Sequence, residues 1–436
     1  MIELQYPENW NCTRLKNVAL INKNSLSTST HADYILNYLE ISNVNNRGII
    51  SKNEIRELFF LDAPSRARRI VRNGDTVISS VRPNLQAIAY IKHTSGNLIA
   101  STGFYVVTPI QQRLDDKYTY YLLISDGSKQ HMEAVAKGVG YPAVDDKDFV
   151  TLKFAIPSLL EQHRIAAYLD KTCAAIEKAI EAKQKQLEIL DALRKSIIHK
   201  SATRGLDDSV ELKDSGVEWL GRIPIHWNVY RLKDISSKIG SGVTPEGGAS
   251  SYVDEGIPLF RSQNIHFDGL RLDDIALITE EQHNSMSNTK VQGGDVLLNI
   301  TGASLGRCHY VPKDFGDANV NQHVCIIRAY RKLYFEFLNF FLSSDTGQKQ
   351  IFSGFRGASR EGLNFREIKN FLLPIPLEKE QVEICNYLSK KFEEFELLKN
   401  NLENQISTLE QYRKSLIHEC VTGKRRITEG DVQGQL

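Results

Sequence analysis

Residues 156–169 read IPSLLEQHRIAAYL, and residues 375–388 read IPLEKEQVEICNYL, so one pattern occurs twice in the chain at an offset of 219 positions. The correspondence continues without a gap to Thr203 and Thr422, and both copies contain Arg-Lys-Ser-x-Ile-His. Chance does not produce so many identities at one offset, and self-similarity at a fixed period is the sign of a repeat architecture. We therefore predict that the chain is an internal duplication organised around this segment.

Each copy of the segment predicts one long helix. In the first copy, Pro157 precedes the helix, Ser158 can cap its N-terminus, and Glu161 completes a capping box. The second copy keeps Pro376 and Glu380 but lacks the serine, so its cap should be weaker. A helix of roughly 40 residues, rising about 1.5 Å per residue, spans on the order of 60 Å.

Apolar residues recur along both predicted helices with a mean spacing of about 3.5 residues, the heptad spacing that winds two helices left-handedly about each other. Only Lys183, which aligns with Leu402, interrupts the correspondence. We therefore predict a coiled-coil pair inside one chain. The positions expected to pair are Leu169, Ile176, Leu187, Leu190, Leu193 and Ile197 in the first helix and Leu388, Phe395, Ile406, Leu409, Tyr412 and Leu416 in the second.

The sequence before each helix is also repeated, although less faithfully. Trp10 corresponds to Trp227, and the strand-like run at 74–81 has a counterpart at 294–298. Helical signals return over residues 118–136. The predicted fold class is α/β in the mixed α+β sense, with two globular domains separated by long helices. The predicted segments are a first domain at 1–157, a first helix at 158–204, a linker at 205–223, a second domain at 224–376, a second helix at 377–423 and a tail at 424–436.

Composition restricts the class of protein. The 436 residues include 54 basic and 53 acidic side chains, so bulk charge argues neither for nor against nucleic acid. The six cysteines are scattered without a C-x-x-C pair, which favours reduced thiols over disulfides or zinc. Neither a secretory signal nor a run of 18 apolar residues occurs, so the expected location is the cytoplasm, without membrane attachment.

No catalytic motif is found in the sequence. A phosphate-binding G-x-x-x-x-G-K-[ST], an H-E-x-x-H zinc motif and the Asn-Pro-Pro-aromatic tetrapeptide of amino-methyltransferases are all missing, and no convincing strand precedes the glycines at 354–358. His199 and His418 occupy matched helix ends, where the helix dipole favours a cation, and this role is preferred to proton transfer. We therefore predict no enzymatic activity, no cofactor and no metal.

The loops diverge where the scaffold matches. Arg82-Pro83-Asn84 stands where the second copy has Gly302-Ala303-Ser304, and a basic run occupies 65–72. Arginine forks fit phosphate and the O6/N7 edge of guanine, and amides also read base edges. The alternatives are a solvated charged face for the basic run and turn roles for several of the others. The candidate DNA contacts are Arg66, Arg68, Arg69, Arg82, Asn84, Arg261, Gln263, Asn264, Thr301, Ser304, Arg307, Gln322 and Arg360.

Three blocks together carry a family resemblance. They are the repeated 156–169 pattern with its long helix and Arg-Lys-Ser-x-Ile-His end, residues 216–227 (GVEWLGRIPIHW), and residues 294–307 (GDVLLNITGASLGR). The chain resembles the DNA-specificity (S) subunit of type I restriction-modification systems over nearly its whole length. In the first unit, residues 82–84 depart from the family turn.

The resemblance implies two target-recognition domains held apart by an antiparallel pair of long helices, related by a pseudo-twofold axis. Each domain would read one half of an interrupted sequence in double-stranded DNA. The implied partners are two methyltransferase (M) subunits, which bind S-adenosylmethionine and methylate adenine, and translocating endonuclease (R) subunits. The family subunit has no chemistry of its own.

Three other interpretations remain open at this point. A self-sufficient methyltransferase or nuclease would transfer methyl groups or cut DNA alone, and the missing motifs count against it. A structural coiled-coil adaptor would make no base-specific contact, and the unequal loops on equal scaffolds count against it. The chain could also serve a related restriction system. Neither the recognised sequence nor its spacer length follows from the residues.

Overall fold

A computed structural model describes residues 6–94, 96–138, 140–330, 332–353 and 362–433. The chain divides into two compact units. Unit 1 comprises Met1–Gln184 together with Glu403–Leu436, and unit 2 comprises Lys185–Leu402. Because both boundaries fall inside the long helices, each unit contains a part of both.

The globular part of unit 1 consists of three sheets and three short helices. One sheet has the order β2-β9-β6-β7 and is antiparallel, a second has the order β4-β3-β8-β5, and β1 pairs with β10. Up to the first long helix the elements are β1 (Asn11–Arg14), β2 (Ala19–Ile21), β3 (Ile35–Leu39), β4 (Arg56–Phe59), β5 (Ala67–Ile70), β6 (Thr76–Ser79), β7 (Ile88–Tyr90), β8 (Leu98–Ser101), β9 (Phe104–Pro109), α1 (Asp116–Ile124), α2 (Asp126–Val135), α3 (Asp146–Phe149), β10 (Lys153–Ile156) and α4 (Leu159–Arg204).

Strand β6 shows why this sequence forms a central strand. All four of its residues are buried, which requires cover on both faces of the sheet. Ile78 belongs to the core cluster that contains Tyr118 and Leu122 of α1, whereas Val77 belongs to the cluster that contains Leu39 of β3. Successive side chains of a strand point to opposite faces, so helices cover one face and the second sheet covers the other. Full burial of each apolar side chain contributes about 1.5–3 kcal/mol.

Unit 2 repeats this arrangement. Its main sheet has the order β14-β22-β19-β20, and β18-β15-β21 forms the second sheet. From the linker onward the elements are β11 (Leu212–Asp214), β12 (Arg222–Pro224), β13 (Asn228–Arg231), β14 (Ser236–Ser241), β15 (Ile257–Phe260), β16 (Ile265–His266), β17 (Gly269–Leu270), β18 (Ala276–Ile278), α5 (Glu280–Ser285), β19 (Asp295–Asn299), β20 (Cys308–Tyr310), β21 (Asn319–Val320), β22 (Val324–Ala329), α6 (Phe335–Ser343), α7 (Asp345–Ser353), α8 (Phe365–Lys369), β23 (Leu372–Ile375), α9 (Glu378–Thr422) and, in unit 1, α10 (Glu429–Gln433).

Strand β19 is the counterpart of β6. Leu298 belongs to the cluster that contains Phe337 of α6, and Leu297 belongs to the cluster that contains Phe260 of β15. The main sheet is therefore again covered by a helix on one face and by a second sheet on the other. The duplicated fold and the strands predicted after residues 74 and 294 are confirmed. The helical segment predicted at 118–136 is two helices, because Ser125 between them has extended backbone angles.

A buried glutamine fixes the start of each long helix. Gln162 donates from its amide to the carbonyls of Arg113 (3.1 Å) and Pro157 (3.0 Å), and it accepts from the backbone N–H of Asp115 (2.9 Å). Gln381 makes the same three contacts in unit 2, with Lys332, Pro376 and Tyr334. The repeated Glu-Gln pair thus ties the helix to the loop that leads into α1 or α6, and its recurrence is explained by this buried hydrogen bonding.

The glutamates of the same motif act differently from the predicted capping boxes. The hydroxyl of Ser158 accepts from the backbone N–H of Glu161 at 3.4 Å, but the Glu161 carboxylate lies 3.2 Å from the Arg426 guanidinium. The carboxylate of Glu380 accepts a hydrogen bond from the Trp227 indole at 3.0 Å. Each glutamate therefore joins its helix to another part of its own unit.

The helical segments within each unit are antiparallel. In unit 1, Glu161 of α4 contacts Arg426, just after α9. Arg47 contacts both Glu177 of α4 (2.9 Å) and Glu410 of α9 (3.1 Å). Residue numbers therefore increase along α4 in the direction in which they decrease along α9. In unit 2, the Arg194 guanidinium lies 4.5 Å from the centre of the Phe392 ring. Gly205, directly after the C-terminal end of α4, lies close to the Trp227 ring and to Glu380 near the start of α9.

The predicted heptad seam is buried only toward the helix ends. Leu169, Ile176, Leu388, Phe395 and Leu416 are buried. Leu193 and Tyr412 were expected to pair but are each 47% exposed, and the pairing of the individual positions stays a prediction. These residues are exposed because two helices alone bury only one side of each apolar stripe. A globular domain buries the other side only where it packs against the helices. The remaining predicted positions, Leu187, Leu190, Ile197, Ile406 and Leu409, are half-buried.

Both long helices end on a glycine in the left-handed region. Gly205 has φ +76° and Gly423 has φ +74°, the conformation that favours glycine immediately after a helix. The position of a Cβ on Gly205 would lie 3.4 Å from the Trp227 ring, and one on Gly423 would lie 2.5 Å from Pro7 and 3.1 Å from the Trp10 ring. In unit 1, therefore, the C-terminal end of α9 packs directly on the start of the chain.

Candidate nucleic-acid interface

The loops that follow β6 bring several predicted DNA contacts of unit 1 together. We call residues 80–86, 101–103 and 141–144 the N-terminal tip. The backbone N–H of Ser80 donates to the carbonyl of Gly103 (2.8 Å), and that of Thr102 donates to the carbonyl of Arg66 (2.8 Å). The start of β5 is thereby placed beside the 80–86 loop. Arg66, which directly precedes β5 and is counted with the N-terminal tip, and Asn84, in the 80–86 loop, are both exposed there.

Arg82 is the most constrained residue of the N-terminal tip. Its φ of +50° lies in the left-handed region, which a non-glycine residue adopts only under constraint. The constraint is visible, since its backbone N–H donates to the carbonyl of Pro142 at 2.7 Å. Its guanidinium lies 4.1 Å from the centre of the Tyr141 ring, and Tyr141 is 73% exposed. An arginine and an aromatic ring thus stand together at the end of the sheet.

The basic run that contains Arg66 does not form one continuous charged surface. Arg68 is half-buried, lies 4.8 Å from the centre of the Phe60 ring and donates to the carbonyl of Ala67 (2.9 Å). Arg69 is also half-buried and contacts the Ser25 hydroxyl at 3.5 Å. Only Ala67–Ile70 of the run form strand β5, and its pairing with β8 is irregular between Ala67 and Arg69, so its side chains do not alternate strictly between faces. Within the described residues, Arg66 alone among the three remains fully exposed.

The loops after β19 form a matching tip in unit 2. We call residues 242–246, 300–307 and 321–323 the C-terminal tip. A chain of hydrogen bonds crosses it: Thr244 donates to Gln322 (2.5 Å), Gln322 contacts His323 (2.9 Å), and His323 contacts the Thr301 hydroxyl (2.7 Å). A Cβ on Gly242 would lie 1.7 Å from the Val320 carbonyl, so only glycine allows this close approach.

Ser304 and Arg307 complete the C-terminal tip. Both are half-buried, and the backbone N–H of Arg307 donates to the carbonyl of Ser304 (3.1 Å). The structure therefore brings together four predicted residues, Thr301, Ser304, Arg307 and Gln322. It also adds His323, which sequence reasoning missed although it adjoins Gln322 in the chain.

The predicted group at 261–264 is not equivalent to the tip residues. Asn264 is only 1% exposed, its carbonyl oxygen accepts from the N–H of Arg261 (2.9 Å), and its amide donates to the carbonyl of Arg271 (2.9 Å). A DNA contact by Asn264 is therefore a wrong prediction, because its amide is consumed inside the fold. Arg261 donates to the backbone carbonyl of Asp274 (3.0 Å), and the Gln263 amide donates to its carboxylate (2.8 Å).

Asn43 has the same role in unit 1. It accepts from the backbone N–H of Glu40 at 2.7 Å, and it is likewise buried. The pairing of Asn43 with Asn264 in the sequence thus reports a shared turn. Arg360, the last predicted contact, lies outside the described residues, as do the glycines at 354 and 357.

Burial changes the pKa of two titratable side chains, Cys325 and His199. Burial raises the pKa of the Cys325 thiol to about 12, which disfavours the thiolate. Burial lowers the pKa of His199, and its ring contacts the Thr346 hydroxyl at 3.0 Å, so a cation at this helix end is not favoured as predicted. Within the described ranges, no group of three or more histidine, cysteine or acidic side chains could hold a metal ion, and no helix is long and apolar enough to cross a membrane.

Comparison with protein families identifies the class. The chain matches the family described as "Type I restriction modification DNA specificity domain" over residues 7–197 and again over 224–408, which together exceed half its length. The chain belongs to this family. The two matches coincide with the two copies of the duplication, each with much of its long helix.

Individual relatives agree with this assignment. The chain is 26% identical to the type I restriction enzyme MjaVIII specificity subunit of Methanocaldococcus jannaschii, covering 72% of this chain and 71% of that one. It is 22% identical to the putative MjaX specificity subunit of the same organism, over 97% and 95% of the two chains.

Solved structures share the fold. A chain from a structure described as "Structural basis underlying complex assembly and conformational transition of the type I R-M system" superposes with a TM-score of 0.79 at 21% identity, covering 97% of this chain and all of that one. The HsdS subunit from Thermoanaerobacter tengcongensis superposes with a TM-score of 0.55 at 20% identity, covering 97% and 99%.

Proposed function

We propose that this chain is the sequence-reading, non-catalytic subunit of a type I restriction-modification complex. In this proposal, the N-terminal tip reads one half of an interrupted site in double-stranded DNA and the C-terminal tip reads the other half. The observation that carries the proposal is the contrast within the duplication, because the same buried scaffold ends in two chemically different tips. Uniform scaffolds with divergent loops are expected where loops carry recognition.

The side-chain types at the tips support base reading. The N-terminal tip offers Arg66, Arg82 and Asn84, and the C-terminal tip offers Thr301, Ser304, Arg307 and Gln322. Guanidinium groups pair with guanine, amides with adenine, and hydroxyls with either class of base edge. Arg68, Arg69, Arg261 and Gln263 are engaged within the fold and are assigned supporting roles beside these contacts.

The partners follow from membership of the family. We propose two methyltransferase subunits that carry S-adenosylmethionine, together with endonuclease subunits that translocate DNA, in the cytoplasm. The half-exposed Leu193 and Tyr412 on the long helices are consistent with contacts to other subunits. The isolated chain is expected to bind no S-adenosylmethionine, and stoichiometric binding measured by calorimetry would contradict this division of labour.

Methylation mapping tests the proposal directly. The chain is expressed with its methyltransferase subunits, and modified adenines are mapped across the host genome. An interrupted sequence is expected. Replacement of residues 1–150 by the equivalent part of a relative should then change one half of that sequence and leave the other half intact. A change in both halves, or in neither, would refute the two-tip proposal.

The two rival interpretations predict different results. A self-sufficient methyltransferase would modify DNA without any partner subunit. A structural adaptor would give the same methylated sequence whichever tip is replaced. Neither rival explains why the loops after β6 and β19 differ while Gln162 and Gln381 keep identical contacts.

A further inference from the structure

In the N-terminal tip, the guanidinium of Arg82 lies over the ring of Tyr141. We propose that the stacked Arg82–Tyr141 pair reads one guanine of the half-site bound by unit 1, with Arg82 touching the base and Tyr141 acting as a positioning residue. This inference rests on the proposed function and deepens it. It names the base that one side chain recognises.

The stacking geometry leaves the arginine available. The guanidinium carbon of Arg82 lies over the Tyr141 ring, 4.1 Å from its centre, and this cation–π contact uses the face of the ring instead of a hydrogen-bond acceptor. The contact therefore restrains the guanidinium without pairing its N–H groups with an acceptor atom. Within the described ranges, no carboxylate, carbonyl or hydroxyl accepts a hydrogen bond from this guanidinium. The N–H groups of this guanidinium are therefore available to a ligand from outside the chain.

The backbone around Arg82 restricts the direction in which the fork can approach a ligand. Arg82 is held at φ +50° by its hydrogen bond to Pro142, and the N–H of Leu85 donates to the carbonyl of Arg82 at 2.9 Å. Val81 also forms a bridge with Ala143, so two loops far apart in the sequence are joined on both sides of the pair. A non-glycine residue rarely adopts the left-handed region, and this backbone limits the directions in which the Arg82 side chain leaves the loop.

A base edge fits this restraint better than a phosphate does. Phosphate oxygens accept hydrogen bonds over a wide range of approach, and they carry no sequence information. The guanine O6/N7 pair accepts a planar fork from one direction, so a fixed arginine gains both affinity and discrimination there. Arg66, in the same tip, has no such restraint, since it is exposed and no described residue contacts its guanidinium. We assign Arg66 to phosphate.

The C-terminal tip shares the backbone turn, but the described residues show no equivalent pair there. Gly302, which the duplication aligns with Arg82, has φ +70° and is therefore also in the left-handed region. Arg307 occupies the same loop, yet no aromatic ring of the described chain lies against its guanidinium. The turn thus belongs to the shared scaffold, whereas the arginine placed on it beside Tyr141 is particular to unit 1.

The test uses the assembled complex with its methyltransferase subunits. Binding is measured to the recognised duplex and to duplexes in which each base pair of either half-site is changed in turn. Arg82→Ala should abolish discrimination at one G·C pair of the unit 1 half-site, by about 5- to 150-fold, and leave every other position unchanged. Arg82→Lys keeps the charge but loses the fork, so it should also lose this discrimination.

Two controls separate the alternatives. Arg66→Ala should weaken binding to all duplexes equally and reduce the salt-dependence slope by about one unit. Tyr141→Phe keeps the ring and should behave as the unaltered protein, whereas Tyr141→Ala should lose part of the discrimination at the same G·C pair. Because Ala is strained at a positive φ, Arg82→Gly serves as a second variant that folds without strain and should still lose recognition.

The outcomes distinguish a failure of the guanine contact from a failure of the proposed DNA-reading function. A uniform loss with a reduced salt slope in Arg82→Ala would assign Arg82 to phosphate and overturn the guanine contact. Unchanged discrimination in Arg82→Gly would also overturn it. A complex of unaltered subunits that discriminates at no base pair of either half-site would instead contradict the proposed function itself.

Discussion

The two tips end the same kind of sheet with different chemistry. The N-terminal tip presents a cation over an exposed ring, whereas the C-terminal tip presents a hydrogen-bonded chain of threonine, glutamine and histidine side chains beside Arg307. Beneath them, Gln162 and Gln381 make the same three hydrogen bonds. Buried polar contacts preserve the scaffold because their loss is costly, and exposed loop residues diverge because their loss is not.

The comparison also holds within the scaffold, where one repeated aspartate has different partners. Asp295 is 0% exposed and receives two hydrogen bonds from the Arg328 guanidinium, at 2.7 and 2.8 Å. Asp295 also accepts from the backbone N–H of Gln292 (2.7 Å), and Asp75, in the same place in unit 1, keeps this contact with Arg72 (2.8 Å). Where Asp295 has the Arg328 guanidinium, Asp75 accepts from the Thr108 hydroxyl (2.7 Å). The duplicated position thus pairs with a cation in one unit and with a hydroxyl in the other.

The largest expected effect breaks this ion pair. Asp295→Ala should destabilise unit 2 by about 3–5 kcal/mol, because the Arg328 cation is left without its partner in the protein interior. Asp75→Ala, the matched control, should cost only about 1–3 kcal/mol, since neutral donors are left behind. Hydrogen exchange resolved by region measures each unit. Equal losses of unfolding free energy in the two variants would show that the charge of Arg328 does not contribute to the larger effect.

A smaller effect distinguishes the two units by pH. Burial lowers the pKa of His309 on β20 to about 4, so the folded state holds the neutral ring, while the unfolded chain binds a proton below about pH 6.5. Stability from this residue is therefore complete above pH 6.5 and is lost as pH falls toward 4, up to about 3 kcal/mol. Ala89 occupies the paired position in unit 1 and cannot titrate.

Denaturation profiles between pH 7 and 4 check this difference. The loss on acidification should be concentrated in unit 2, and His309→Phe should remove most of it. A profile that is unchanged in His309→Phe would mean that other groups dominate the acid response of the unit.

Recognition by the C-terminal tip gives the next prediction. Gln322→Ala should cost about 1–3 kcal/mol at one base pair of the second half-site, and should leave the first half-site untouched. Gln263→Ala is a matched control, because this amide is also exposed and hydrogen-bonded, to the Asp274 carboxylate, but lies outside the C-terminal tip. Methylation mapping reports both results. Relaxation of the first half-site by Gln322→Ala would break the independence of the tips.

The smallest expected effect concerns the charged contact of unit 1 with both long helices. Arg47→Ala removes the contacts to Glu177 and Glu410, and because these groups are partly solvated the loss should be about 1 kcal/mol or less. In unit 2, Arg271→Ala removes a local pair with Asp268 and should cost still less. Thermal midpoints at low salt compare them, and a larger shift for Arg271→Ala would contradict the bridging role of Arg47.

The sequence predicted the duplication, the long helices and the central strands, because these depend on periodicity and repetition, and its motifs predicted the class of protein through their family resemblance. It did not predict the Arg82–Tyr141 contact or the His323 link, which join residues that are brought together only by folding. The same limit explains Asn264: an amide that reads DNA and an amide that closes a buried turn are the same residue in a sequence. Burial distinguishes them, and burial depends on packing.

The contact of Gly423 with Pro7 and Trp10 bears on the order in which the chain folds as it is synthesised. Unit 2 is a continuous segment, Lys185–Leu402, whereas unit 1 needs residues from both ends of the chain. At about 5–20 residues per second, unit 1 waits until residues 403–433 have been synthesised, after all of unit 2. We expect the unit synthesised second to mature first. A ribosome stalled after Leu402 should accordingly carry a protease-resistant unit 2 beside an N-terminal domain that is still cleaved readily.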